Sequence, residues 1–181
     1  KAAVGDGKAG LVNRQITAIA EDRHGNLWIG TSQGLSRLDM DKDEIISYGA
    51  PEYPWLDTHI DDIFIDSQER VWLGTAKGLW LFVPQSETGQ PLKLNGELDN
   101  VAVTVVRETS DGRFVVGTQQ KGVYICDSSF KKYINYSTDN ILPDNKVSDI
   151  LIDDKSNSLW VAIAESGIVR IDMATGDVRR Y

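Results

Sequence analysis

Few side chains in this sequence have the types and spacings that do chemistry. The two histidines, His24 and His59, stand in different parts of the chain with no zinc-ligand spacing and no nucleophile–base motif around them. Both read as loop residues. The single cysteine, Cys126, lies in an alternating apolar pattern and reads as a small buried residue. Asp153-Asp154-Lys155-Ser156-Asn157 has the acidic start of a calcium loop but not its glycine or terminal glutamate. Gly5-Asp6-Gly7-Lys8-Ala9-Gly10 lacks the Lys-Ser/Thr ending of a phosphate loop and reads as a flexible lead-in. Asn135-Tyr136-Ser137 is a formal glycosylation acceptor. No catalytic residue, metal ligand or cofactor is therefore assigned.

The residues suited to holding a ligand are of another kind. The stretch from Gly49 to His59 places Tyr53, Trp55 and two prolines in a loop, and loops on rigid scaffolds concentrate binding residues. Trp55 either meets a ligand or folds down to cover an edge of the scaffold. Short polar turns at Ser32-Gln33, Ala76-Lys77, Gln119-Gln120-Lys121 and Glu165-Ser166 add amides and charges. Amides suit a sugar's hydroxyls, and aromatic rings suit its apolar faces. The expected ligand-binding set is Gln33, Tyr53, Trp55, His59, Lys77 and Gln120.

The elements that position these residues repeat. Asn26-Leu27-Trp28-Ile29-Gly30-Thr31-Ser32-Gln33-Gly34-Leu35 returns as Arg70 to Leu79, and more loosely as Phe114 to Gly122 and Leu159 to Gly167. The closing glycines fall at 34, 78, 122 and 167, and an apolar residue opens each unit at 16, 60, 103 and 147. A period of about 44 residues built from strands is the mark of a β-propeller, one blade per repeat.

Each unit reads as four short strands, the fourth the most polar: Ile45 to Tyr48, Leu92 to Leu94, Lys132 to Tyr136 and Val178 to Tyr181. Asp22, Asp66, Asp153 and, in the third unit, Thr109 precede the first turn as turn-makers. Gly25 and Gly112 make two of these turns tight, while the glycine-free turns at 68–70 and 155–158 are expected to be looser. Residues 173–177 form a further hairpin turn. Trp28, Trp72 and Trp160 are expected to fill the wedge between blades, with Val115 packing less well in their place. Gly30, Gly74, Gly117 and Ala162 mark close approach of neighbouring sheets. The fold class is all-β: four blades of four antiparallel strands, at about 13–50, 56–95, 99–136 and 142–181, after a lead-in at 1–12.

The formal net charge of −8 offers no phosphate-neutralising surplus, so no nucleic-acid or anionic-membrane partner is expected. No apolar run reaches the roughly 18 residues of a membrane helix. The first residues are too short and polar for a signal peptide, so the chain is either cytosolic or a mature or trimmed piece.

The pattern Val/Ile-x-x-Ile-x-x-Asp-x-x-Gly-x-Leu-Trp-Ile-Gly-Thr-x-x-Gly-Leu resembles the two-component regulator propeller repeat. Ile16 to Leu35 follows it almost residue for residue and Ile60 to Leu79 nearly so, while the later units depart at Val115 and Ala162. The resemblance implies an extracytoplasmic, periplasmic sensor segment of a bacterial hybrid histidine kinase, without catalytic residues and with an oligosaccharide as ligand. It also implies an open fragment of a larger propeller, completed by missing blades or by a second chain. The alternatives are a lyase or hydrolase of the streptogramin-lyase kind, for which only His59 is a candidate, and a protein-binding scaffold.

Overall fold

The computed structural model describes residues 10–181, so residues 1–9 of the lead-in expected at 1–12, with all of its glycine-rich stretch but Gly10, lie outside the described residues. Among the described residues sixteen strands form four sheets, each of four antiparallel strands in chain order. Sheet one holds β1 (Ile16–Glu21), β2 (Leu27–Thr31), β3 (Gly34–Asp39) and β4 (Glu44–Tyr48). Sheet two holds β5 (Ile60–Ile65), β6 (Val71–Thr75), β7 (Gly78–Val83) and β8 (Thr88–Leu92). Sheet three holds β9 (Val103–Glu108), β10 (Phe114–Thr118), β11 (Val123–Cys126) and β12 (Tyr133–Tyr136). Sheet four holds β13 (Val147–Asp153), β14 (Ser158–Ile163), β15 (Gly167–Asp172) and β16 (Val178–Arg180). The chain divides at Leu92/Lys93 into two compact units of two sheets each. Short 3-10 turns at Pro54–Leu56 and Leu94–Gly96 are the helical elements among the described residues, and no helix there is long and apolar enough to cross a membrane.

One strand is displaced from its expected place. The fourth strand of sheet two is Thr88–Leu92, not Leu92 to Leu94, and it pairs from Thr88 opposite Val83 to Leu92 opposite Leu79. Gly89 and Pro91 disguise it as a turn. A last strand tolerates proline because its outward N–H has no ladder partner. At Gly89 a Cβ would lie 2.5 Å from the Trp55 ring, so a side chain there would clash.

The turns after the first strands share one design. The Asp22 amide donates to Asn26 O and the Gly25 amide to Asp22 O, at 3.0 and 2.9 Å. Asp66 and Glu69 repeat the pair with Arg70 at 3.1 and 2.9 Å. The sheet-two turn is thus no looser than the first, although Glu69 takes the glycine's place at φ 62°. The Asp66 carboxylate accepts the Gln68 and Arg70 amides, each at 2.9 Å, as Asp22 accepts those of His24 and Asn26 at 3.0 Å. In sheet four the turn is one residue longer, and Asp153 accepts the Lys155 and Ser156 amides instead.

The same aspartates hold the tryptophans. Trp28 Nε1 donates to Asp22 Oδ2 at 3.1 Å, and Trp72 Nε1 to Asp66 Oδ2 at 2.8 Å. Burial alone would push the Asp66 carboxyl up. The bonds from Trp72 and Arg70 outweigh it and hold the group below its ordinary value.

In the first unit Trp28, Leu35 and Tyr48 of sheet one pack with Ile60, Ile63, Leu73 and Phe82 of sheet two. Trp28 meets Phe82 edge-on at 5.7 Å between centroids. In the second unit Val105, Val115 and Val123 pack with Ile150, Leu159 and Val161. Val115, which stands where the other units have tryptophan, is fully buried in a cluster with Tyr136 and Leu142. Trp160 departs from expectation. It is only half-buried, with Tyr181 5.5 Å from it and Arg170 over its ring.

Cys126 is buried, and that burial pushes its thiol up to about 12, which keeps it protonated and inert at neutral pH.

These differences set the order of cost for removing each indole. Trp28→Ala and Trp72→Ala should each destabilise by about 3–5 kcal/mol, as buried aromatic truncations do, and Trp160→Ala by clearly less. Urea unfolding of the three variants measures this. Equal losses at all three positions would contradict the packing described.

Candidate functional site

The turns that carry the expected site residues share an anchor. The turn between the second and third strands donates an amide to the carbonyl just before the first strand of its own sheet: Ser32 to Gln15, Ala76 to His59, Gln119 to Ala102 and Ala164 to Lys146, at 2.9–3.1 Å. Thr31, Thr75 and Thr118 brace these turns by donating through Oγ1 to the carbonyls of Gly34, Gly78 and Gly122. In each sheet the polar turn and the incoming connection therefore stand at the same end.

In the first unit the connection from Gly49 to His59 is tied down along its length. The Tyr53 amide donates to Gly49 O at 2.9 Å, Leu56 is buried, and the Pro54–Leu56 turn closes through Leu56 N to Tyr53 O. Lys77 Nζ reaches across to Asp57 O at 2.9 Å. Trp55 stacks on Trp80 at 5.1 Å and 22° and lies 5.9 Å from Phe82. It covers the outer strands of sheet two while staying partly exposed. Tyr53 packs edge-on against Tyr48, and its hydroxyl donates to Glu87 Oε2 at 2.5 Å. That bond pushes the Tyr53 phenol up to about 12.

His59 is partly exposed, with Nε2 3.6 Å from Asp61 Oδ1. Burial raises the Asp61 carboxyl, and His59 opposes the rise. Gln33 is exposed and accepts from Asn13 Nδ2 at 3.1 Å. In the second unit Gln120 is exposed on the equivalent turn. Beside it Lys121 Nζ pairs with Glu97 at 3.0 Å, and Tyr124 donates to the same carboxylate.

Within the first unit Tyr53 and Trp55 thus share one aromatic cluster and Lys77 joins their loop, while Gln33 belongs to the sheet-one turn. Sequence reasoning missed Trp80, Glu87 and Gly89, the residues that seat the loop. Thr58 Oγ1 and Trp80 Nε1 are buried without a hydrogen-bond partner, an arrangement that costs about 1–3 kcal/mol per group. At the opposite end of sheets one and two, a groove of about 240 Å³ is lined by Asp22, His24, Arg37, Glu69, Pro84 and Gln85, none of them in the expected set. Among the described residues no group of three or more His, Cys, Asp or Glu could hold a metal ion.

Comparison with known proteins follows the same lines. The family described as two component regulator propeller matches residues 10–33. Among curated proteins none matches the sequence. Among solved structures, the extracellular domain of a protein described as a hybrid two component system of B. thetaiotaomicron aligns with TM-score 0.78 and 19% identity, over 93% of this chain and 25% of that one. A second extracellular domain from B. thetaiotaomicron, described as from a one component system, aligns with TM-score 0.77 and 20% identity, over 92% and 25%. Virginiamycin B lyase from Staphylococcus aureus aligns with TM-score 0.69 and 19% identity, over 92% and 55%. The chain spans a quarter of the length of the sensor-system domains and about half of the lyase. The sheets are therefore β-propeller blades.

The Tyr53–Glu87 pair makes a measurable prediction. In the difference titration between wild type and Tyr53→Phe, the missing phenol should ionise near pH 12. With Glu87→Gln as the background, its midpoint should fall back toward the ordinary value of about 10. An unchanged midpoint would show that Glu87 does not hold the hydroxyl.

Proposed function

We propose that this chain is a non-catalytic, ligand-sensing propeller segment of an extracytoplasmic bacterial receptor, periplasmic in location, with an oligosaccharide as its ligand. The observation that carries the proposal is the loop from Gly49 to His59. It is held in one conformation by Lys77, Trp80 and Glu87, at the end of the sheet where the polar turns emerge. Preorganised aromatic edges beside amides lose little entropy on meeting a sugar. The likeness in fold to extracellular domains of two component systems supports the sensing role.

The ligand-binding residues of this reading are Gln33, Tyr53, Trp55, His59 and Lys77 in the first unit and Gln120 in the second. Gln33 and Gln120 meet hydroxyls, while Tyr53 and the exposed part of Trp55 meet apolar ring faces. His59 and Lys77 supply further donors. Further propeller blades complete the receptor.

The likeness to virginiamycin B lyase keeps one competing reading in play, with His59 as the base. His59 Nε2 stands 3.6 Å from Asp61 Oδ1, beyond hydrogen-bond distance. No second group at that place is assigned to a transition state.

Calorimetric titration of a panel of bacterial and plant oligosaccharides into wild type, Gln33→Ala and Trp55→Ala tests the proposal in the first unit, and Gln120→Ala tests the second unit separately. A glycan bound by the first unit should be weakened by about tenfold or more in Gln33→Ala and in Trp55→Ala. Unchanged affinity in both variants would move the site elsewhere, and turnover of a substrate lost in His59→Ala would replace sensing with catalysis.

A further inference from the structure

The indole of Trp55 is seated on one side only. A Cβ at Gly89 would lie 2.5 Å from its Cη2, Cζ2 and Cζ3, and Trp80 stacks on it at 5.1 Å and 22°. Gly89 pairs with Phe82 and Trp80 with Pro91, so both contacts come from one face of the β7–β8 ladder. The exposed part of Trp55 is therefore its outer side. A flat indole on a fixed seat is a surface on which the apolar face of a sugar ring packs.

The groups around that surface accept hydrogen bonds more than they donate them. The Tyr53 hydroxyl gives its hydrogen to Glu87 Oε2 at 2.5 Å, so its oxygen meets a ligand as an acceptor. Glu52 and Glu87 are exposed, and the charges of both push the Tyr53 phenol up. Asp57 is exposed two residues beyond Trp55. Ionised carboxylates accept and do not donate. Across residues 49–59 and 75–92 the acids are Glu52, Asp57 and Glu87, and Lys77 is the only lysine or arginine. One hydrogen of its ammonium is already spent on Asp57 O. His59 stands 3.6 Å from Asp61, so a charge gained there is offset by a carboxylate.

We propose that this loop takes an oligosaccharide free of acidic groups, with a sugar ring on the outer side of Trp55 and its hydroxyls donating to Glu52, Asp57, Glu87 and the Tyr53 oxygen. The inference rests on the oligosaccharide reading of the loop and adds the charge of the ligand. A sugar hydroxyl turns its hydrogen toward a carboxylate, so the acceptors stay satisfied when water is displaced. A uronic acid or sulfated sugar instead brings an anion with no hydrogen to give beside carboxylates that are already ionised. Like charges facing each other across a contact exclude the wrong partner. The formal net charge of −8 acts in the same direction at longer range.

Calorimetric titration at low salt with paired probes tests this. The probes are neutral gluco-, galacto- and manno-oligosaccharides, each set beside the oligouronide of the same sugar, linkage and length. Wild type should bind a neutral member and bind its uronide about tenfold more weakly or worse. The double variant Glu52→Gln/Asp57→Asn keeps an acceptor oxygen at both places and leaves the seat of Trp55 intact. It should hold the neutral glycan as wild type does and gain about fivefold in affinity for the uronide, a gain that shrinks as salt is added. A uronide that binds wild type as tightly as its neutral partner, or a double variant without the gain, would overturn the proposal and leave the oligosaccharide reading standing. Binding by no member of either series, or neutral binding unchanged in Trp55→Ala, would overturn that reading and this inference with it.

Discussion

A β-branched side chain seated over a glycine of the neighbouring sheet is the contact on which the rest of this structure depends. Ile60 lies on Gly30, and Val147 lies on Gly117. Sheets can pack this closely only where the central position of the second strand has no Cβ. The approach brings the flanking residues into register. In the first unit it places Trp28 against Phe82, and in the second it buries Val115 with Leu159. Threonine hydroxyls at 17 and 104 then satisfy carbonyls that the approach would otherwise strand.

The tryptophans are held from a second direction. Asp22 and Asp66 each close a turn through backbone amides and accept an indole N–H with the other oxygen. One carboxylate thus links turn geometry to core packing. Buried Asp66 stays ionised because its bonds outweigh its desolvation. Its stabilising contribution is present above the ordinary carboxylate range, about pH 4, and is lost as the pH falls through the lower folded value.

The repeat was legible because its markers are local: a glycine, an indole and an aspartate at fixed spacing. What escaped sequence reasoning depends on partners far along the chain. β8 was obscured by Gly89 and Pro91, whose presence makes sense only once Trp55 is seen lying on the strand. Glu69 stands at the positive-φ position that Gly25 takes in the first turn, inside the same set of aspartate-to-amide bonds. Trp160 has the same sequence signature as Trp28, yet its exposure depends on whether another sheet covers it. The aromatic loop of the candidate site stood out by composition. Its seat did not, since Glu87 lies 34 residues beyond Tyr53 in the turn after β7.

The close approach at the glycines can be tested without reference to any ligand. Gly30→Ala would place a methyl 2.9 Å from Ile60 Cγ2, and Gly117→Ala would place one 2.5 Å from Val105 Cγ1 and 2.7 Å from Val147 Cγ1. Chemical unfolding of both variants should show losses of about 1–3 kcal/mol, the usual cost of overpacking. Unfolding midpoints unchanged from wild type would mean that the sheets do not meet at these glycines, and the stacking described would be wrong.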